Sequence, residues 1–159
     1  MEQIHKTSWY PRIGEIYLMR FDGCGSEQGG SRPGLVFQCN KGNINSPNII
    51  ALPLTSSLKK SNQPTHITLK ASETGLRRDS LILCENPERM SKEKVGRFIT
   101  TLSRDDMKRV AEASLLATSA IAFLDYESLL RIWSKANALN AIQGKSDATV
   151  EGQLCIMKI

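Results

Sequence analysis

Between Gly14 and Asn86 the chain is a string of short apolar or alternating runs separated by Gly, Pro, Asn and Ser clusters, with no helical pattern between them. A parallel βαβ layout needs a helical crossover between successive strands, so this punctuation argues against it and predicts a small, strongly curved sheet or barrel. Strands are expected over residues 15–21, 35–38, 48–54, 65–70 and 80–84, with a sixth over 95–102. Ser103 then opens "SRDDMKRVAEASLLATSAIAFLDY", where Ser103 can cap a helix and Asp105 and Asp106 occupy its first turn, as the helix dipole prefers. Met107, Val110, Ser114, Ala117 and Ile121 recur on one face, so this helix is expected to lie against the sheet. "ESLLRIWSKANALNAI" keeps helical spacing and either extends that helix or forms a second; residues 143–153 read as linker before a short apolar end.

The 159 residues, 40% of them apolar, suffice for one good core. No run approaches the roughly 18 unbroken apolar residues of a membrane span, and the first residues lack the apolar heart of a secretory signal, so the expected location is the cytoplasm. Cys24, Cys39, Cys84 and Cys155 form no C-x-x-C pair, which signals neither a zinc knuckle nor a disulfide framework. No metal and no cofactor is expected. A net charge of +5 favours an acidic or polyanionic partner.

The segment "GSEQGGSRP" (residues 25–33) stands between the first two strands, in a connection of about a dozen positions where hairpins need about two to five. A task explains such length better than folding does. Arg32 precedes Pro33, which biases it to an extended backbone, and its guanidinium is a forked, permanent cation suited to a phosphodiester. The glycines let backbone approach a ligand, while Ser26, Glu27 and Gln28 add donors and acceptors. "ALPLTSS" ends a buried-looking strand in Thr55, Ser56 and Ser57, hydroxyls that cap turns or contact phosphate. Lys59 and Lys60 precede His66, and Arg77 and Arg78 would join the same barrel end if the hairpins alternate.

In this order the pieces resemble the MazF/PemK family of toxin ribonucleases. The G-S-E-Q-G-G-x-R-P segment, the N-x-x-S-P turn, the strand-ending T-S, the P-T-H and the R-D-S carry the resemblance, which spans about Pro11 to Tyr126. It implies a mainly β fold with C-terminal helices, a small SH3-like β-barrel of the CcdB/PemK/MazF kind, in a toxin domain over 11–126 with an extension over 127–159. It also implies a homodimer, a cognate acidic antitoxin and metal-independent, sequence-specific cleavage of single-stranded RNA, with DNA met only through the antitoxin complex and no membrane involved. Arg32 and Thr55 inherit the catalytic roles. Ser26, Glu27, Gln28, Gly29, Ser56, Lys59, Lys60, His66, Arg77, Arg78, Glu85 and Asn86 are the expected RNA contacts. Two departures stand out: Asn86-Pro87 follows "LILCE" where E-Q-I is common, and the chain runs on past Tyr126. The competing readings are a gyrase-binding toxin of the same fold, which needs no Arg32/Thr55 pair, and a catalytically silent nucleic-acid-binding module.

Overall fold

Alternation in "EIYLMRF" becomes strand β1 (Glu15–Phe21), whose inward positions are buried and whose Arg20 faces out. In the computed structural model, which describes residues 9–22 and 30–143 with side chains through 138, it is followed by β2 (Gly30–Val36), a short helix α1 (Asn40–Asn45), β3 (Asn48–Thr55), β4 (His66–Leu69), a single-turn helix α2 (Ala71–Thr74), β5 (Ser80–Leu83), β6 (Glu88–Ser91) and β7 (Val95–Thr101). Helices α3 (Arg104–Thr118) and α4 (Tyr126–Gln143) follow. All strand pairings are antiparallel, in the order β4-β5-β3-β2-β1-β7, with β6 also on β3. No pairing joins β4 to β7, so the sheet curves as a barrel does without closing.

β3 organises the sheet. One edge meets β2 at Ala51–Pro53. The other meets β6 at Asn48–Ala51 and then β5 at Leu54–Thr55. Pro53, which has no N–H to give a ladder, falls in the interval between those two partners.

Two-residue periodicity sorts the side chains onto two faces. Ile16, Leu35, Leu52, Leu54, Ile67, Leu69 and Ile82 form one core, closed by Val110 and Ala113 of α3 with Met107 beside them. Tyr17, Met19, Phe21, Val36, Ile49, Ala51 and Met90 cluster on the opposite side. Ser103 caps α3 as expected, its hydroxyl accepting from the Asp106 N–H at 3.1 Å.

Two expectations need correction, and one open alternative is decided. Helix α3 stops at Thr118 because Ser119 adopts a left-handed conformation (φ 52°) and donates its N–H to Leu116 O; Ile121 therefore does not continue the packed face. Of the two arrangements left open for the run after Asp125 the second holds: α4 is a separate helix, its first turn capped by Asp125, whose carboxylate accepts from the Ser128 N–H at 2.7 Å. The second correction is that the connection after β1 is shorter than a dozen residues, because Gly30–Pro33 belong to β2 and pair with β1 from Phe21↔Gly30 to Leu18↔Pro33. Arg32 is a strand residue. Residues up to Ile121 form one compact unit and those from Ala122 another. No helix among the described residues is long and apolar enough to cross a membrane.

Candidate active site

The site is a row of alternate residues on one face of four neighbouring strands. β2 meets β3 with Gly34 opposite Pro53, the last pair of that ladder, and Arg32 and Thr55 lie two residues beyond it on their respective strands. With a strand period of two both share the face of that last pair, and both line the same groove. β3 meets β5 with Thr55 opposite Leu81, and β5 meets β4 with Leu83 opposite His66. Arg32, Pro53, Thr55, Leu81, Leu83 and His66 all line a groove of about 830 Å³, with Lys59 and Lys60 along one wall and Glu85 and Asn86 at the β5–β6 turn.

Each functional side chain is held locally. The Arg32 guanidinium lies 5.6 Å from the centre of the Phe21 ring, a cation–π distance that fixes its stem against a buried aromatic. Thr55 Oγ1 accepts from the Ser57 N–H at 3.2 Å, which leaves the threonine O–H proton to be donated elsewhere. The turn-capping and the functional readings of this hydroxyl are thus compatible. Lys59 and Lys60 sit on a loop of successive turns, closed by Ser61 N–H to Leu58 O, Gln63 N–H to Lys60 O and His66 N–H to Gln63 O.

His66 is buried, its Nδ1 2.7 Å from Lys60 O and its Nε2 2.6 Å from Glu85 Oε1. Burial pushes the Glu85 carboxyl up, but its own backbone N–H, His66 and Thr65 together outweigh that and hold it below the usual carboxylate range. Asp22, at the groove rim, is lowered by its hydrogen bond and charge contact with Lys94. Asp22 is therefore matched by Lys94 and Glu85 is hydrogen-bonded to His66, while Arg32, Lys59 and Lys60 bring positive charge to the same space. Cys84, next to Glu85 in sequence, is desolvated and its thiol is pushed up to about 11, a structural rather than a nucleophilic sulfur. Among the described residues no three His, Cys, Asp or Glu side chains come together as a metal-binding set.

Several expected residues lie elsewhere. Ser26, Glu27, Gln28 and Gly29 fall outside the described residues. Ser56 lies just past the end of β3 and is exposed without lining the groove, whereas Thr55 and Ser57 on either side of it line it. Arg77 and Arg78 do not share the barrel end of His66: they precede Ser80, which pairs with Leu69, whereas His66 pairs with Leu83 at the other end of the same hairpin. In that R-D-S motif Asp79 accepts from the Ala71 N–H at 2.8 Å and Ser80 Oγ donates to Arg78 O at 3.0 Å, so both brace the α2–β5 connection. Likewise the Asn43 of the N-x-x-S-P turn is buried and gives Nδ2–H to Gln38 O at 2.9 Å, tying α1 to the segment that follows β2. Asp22 and Glu88 line the groove without having been singled out, and Ser57, named only among the strand-ending hydroxyls, lines it too. Ser57 was within reach, two positions beyond Thr55; Glu88 lies on β6, whose "ERMS" carries a single apolar residue and gives no strand signal.

A family profile described as PemK-like, MazF-like toxin of type II toxin-antitoxin system matches residues 12–116. The chain belongs to this family. Endoribonuclease EndoA of Bacillus subtilis (strain 168) is 39% identical to this PemK/MazF-like chain over 99 residues, covering 62% of the chain and 85% of that protein. Solved structures share the fold. The crystal structure of MazF (Form-I) from Deinococcus radiodurans superposes with a TM-score of 0.61 at 23% identity, over 70% of this chain and 99% of that one. An endoribonuclease in complex with its cognate antitoxin, from a Mycobacterial species, does so with a TM-score of 0.56 at 21% identity, over 69% and 95%. The PemK/MazF-like match contains Arg32, Thr55, His66 and Glu85 and ends within α3, so α4 lies beyond it.

Proposed function

We propose that this chain is an endoribonuclease, the toxin of a toxin–antitoxin pair, that cleaves single-stranded RNA in the groove between Arg32 and the Lys59–Lys60 loop. The observation that carries the reading is that Arg32 of β2 and Thr55 of β3, each two residues beyond the Gly34–Pro53 pair, line one groove together with Lys59 and Lys60. Membership in a toxin family whose relative EndoA is named an endoribonuclease supports it.

RNA carries its own nucleophile. The 2′-oxygen attacks the adjacent phosphorus, the P–O5′ bond breaks, and the products are a 2′,3′-cyclic phosphate and a 5′-hydroxyl. The protein must align these atoms in line and stabilise a dianionic phosphorane. Arg32 supplies a permanent charge and two directed N–H donors for the non-bridging oxygens, and Thr55 supplies an O–H donor beside it. An arginine with a pKa above about 12 is a poor base, so Arg32 acts by charge and direction. Water can carry the protons from O2′ and to O5′ in a groove this open. No metal ion takes part in this scheme. Lys59 and Lys60 contribute phosphate contacts that weaken with salt, and Asn86 contributes base-edge contacts to splayed nucleotides. The active toxin is a cytoplasmic homodimer held in check by an acidic antitoxin. The deciding test is cleavage of single-stranded RNA by wild type and Arg32→Ala side by side: a loss of about 100-fold or more in kcat is expected from removing one such charged donor, and equal rates would refute the assignment.

A further inference from the structure

His66 and Glu85 are bound to each other at the edge of the groove, and the contacts around the ring specify how many protons they hold. Nδ1 faces the Lys60 carbonyl at 2.7 Å and Nε2 faces the Glu85 carboxyl at 2.6 Å. A carbonyl oxygen only accepts, so Nδ1 must carry a proton; a carboxylate only accepts, so Nε2 must carry one as well. A neutral imidazole has one N–H and satisfies one contact of the two. With the Glu85 carboxyl held in its ionised form, the arrangement that satisfies both is an imidazolium donating two charge-assisted hydrogen bonds. The ring is 3% exposed, and neither nitrogen is free to exchange a proton with a substrate in this arrangement.

The two acceptors belong to different walls. Lys60 O is part of the loop that joins β3 to β4 and carries both groove lysines; Glu85 belongs to the turn that joins β5 to β6 and carries Asn86. The backbone adds one bond between these segments, from the Cys84 N–H to Thr65 O at 3.1 Å. The remaining charged groups sharing the groove are Asp22, Arg32, Lys59, Lys60 and Glu88.

We propose that His66 is the positioning residue of this groove: as an imidazolium it staples the loop bearing Lys59 and Lys60 to the turn bearing Glu85 and Asn86, and so sets the spacing at which the groove grips its polymer. That the polymer is RNA rests on the endoribonuclease reading, whereas the staple does not. His66 then governs binding while Arg32 and Thr55 govern the chemical step, so removal of either member of the pair weakens grip and leaves turnover nearly intact.

Two measurements on the full chain test this. The protein has two histidines, His5 and His66, so long-range ¹H–¹⁵N spectra of the side chains resolve them, with His66→Gln assigning the signal. Both His66 nitrogens are expected to be protonated at neutral pH, and Glu85→Gln is expected to convert the ring to the single-proton form. A neutral wild-type ring overturns the staple. In steady-state cleavage of a defined single-stranded RNA, Glu85→Gln and His66→Gln are each expected to raise KM about tenfold with kcat within about twofold. A fall in kcat of about 100-fold at unchanged KM would assign the pair to proton transfer, and unchanged KM and kcat would leave it no role in the groove; either overturns the proposal. Should His66→Gln not fold, Glu85→Gln keeps the ring in place and decides alone. If wild type cuts no RNA, the endoribonuclease reading fails while the spectra still decide the staple.

Discussion

Arg32 is the residue on which sequence and structure differ in setting but agree in consequence. Gly, Ser and Pro around it read as loop, yet the ladder from Gly30 to Pro33 places it within β2, where a rigid strand aims a side chain better than a loop does. Thr55 has its proton free to donate because Ser57 occupies its oxygen as an acceptor. Thr55→Val, which preserves shape and removes the hydroxyl, is expected to lower kcat by about 10- to 100-fold, whereas Thr55→Ser is expected to stay within about tenfold of wild type; single-turnover cleavage rates check both. Glu85 makes a prediction about acid. Its carboxyl is held below the ordinary range in the folded chain, so its contribution to stability is present above the unfolded-state value and is lost as pH falls through the folded one. Glu85→Gln is therefore expected to flatten that part of the acid limb in a pH series of urea midpoints, and an unchanged limb would contradict the assignment. The residues that family motifs single out divide by this test of position: Arg32, Thr55 and His66 line the groove, while Asn43 and Asp79 brace turns. Sequence shows both kinds equally well; only register separates them.

At the scale of elements, the strands with strong alternation or continuous apolar character were legible, β1 to the residue and β3 nearly so. β6 was not, because it is held by backbone pairing with β3 from Asn48↔Ser91 to Ala51↔Glu88 and buries little beyond Met90. The break after α3 was hidden for a different reason: the apolar run continues through it, and what stops the helix is one left-handed Ser119, a residue type with no strong signal for that conformation. The pairing of β7 on β1 is irregular, with register shifts between Ile16 and Met19, and Gly96 sits where a Cβ would come 2.8 Å from the backbone oxygen of Leu18. A backbone atom in a sheet cannot swing aside as a side chain would. Gly96→Ala is accordingly expected to part the two strands at a cost of about 1–3 kcal/mol, read as a lowered urea midpoint. By contrast Ser103→Ala removes one cap from α3 and is expected to cost about 1 kcal/mol.

The molecule as a whole consists of a curved antiparallel sheet with α3 on one face and a charged groove on the other, followed by a second unit from Ala122. The family match ends at residue 116, inside the first unit, and the core cluster among the described residues takes its helical part from Val110 and Ala113 of α3. A chain ending at Ile121 is therefore expected to fold and to retain cleavage that depends on Arg32; loss of the thermal transition in that shortened protein would show that the first unit needs the second. The central claim is that the groove holding Arg32 and Thr55 cuts RNA by attack of its own 2′-oxygen. It is tested most directly by digesting a long, mixed-sequence RNA with the purified full chain in EDTA, with Arg32→Ala alongside, and mapping the fragment ends. Discrete cuts that bear 5′-hydroxyl and 2′,3′-cyclic phosphate ends, absent with Arg32→Ala, are the expected result and would also give the recognition sequence. Intact RNA, cuts bearing 5′-phosphates, or cuts that persist in Arg32→Ala would contradict it.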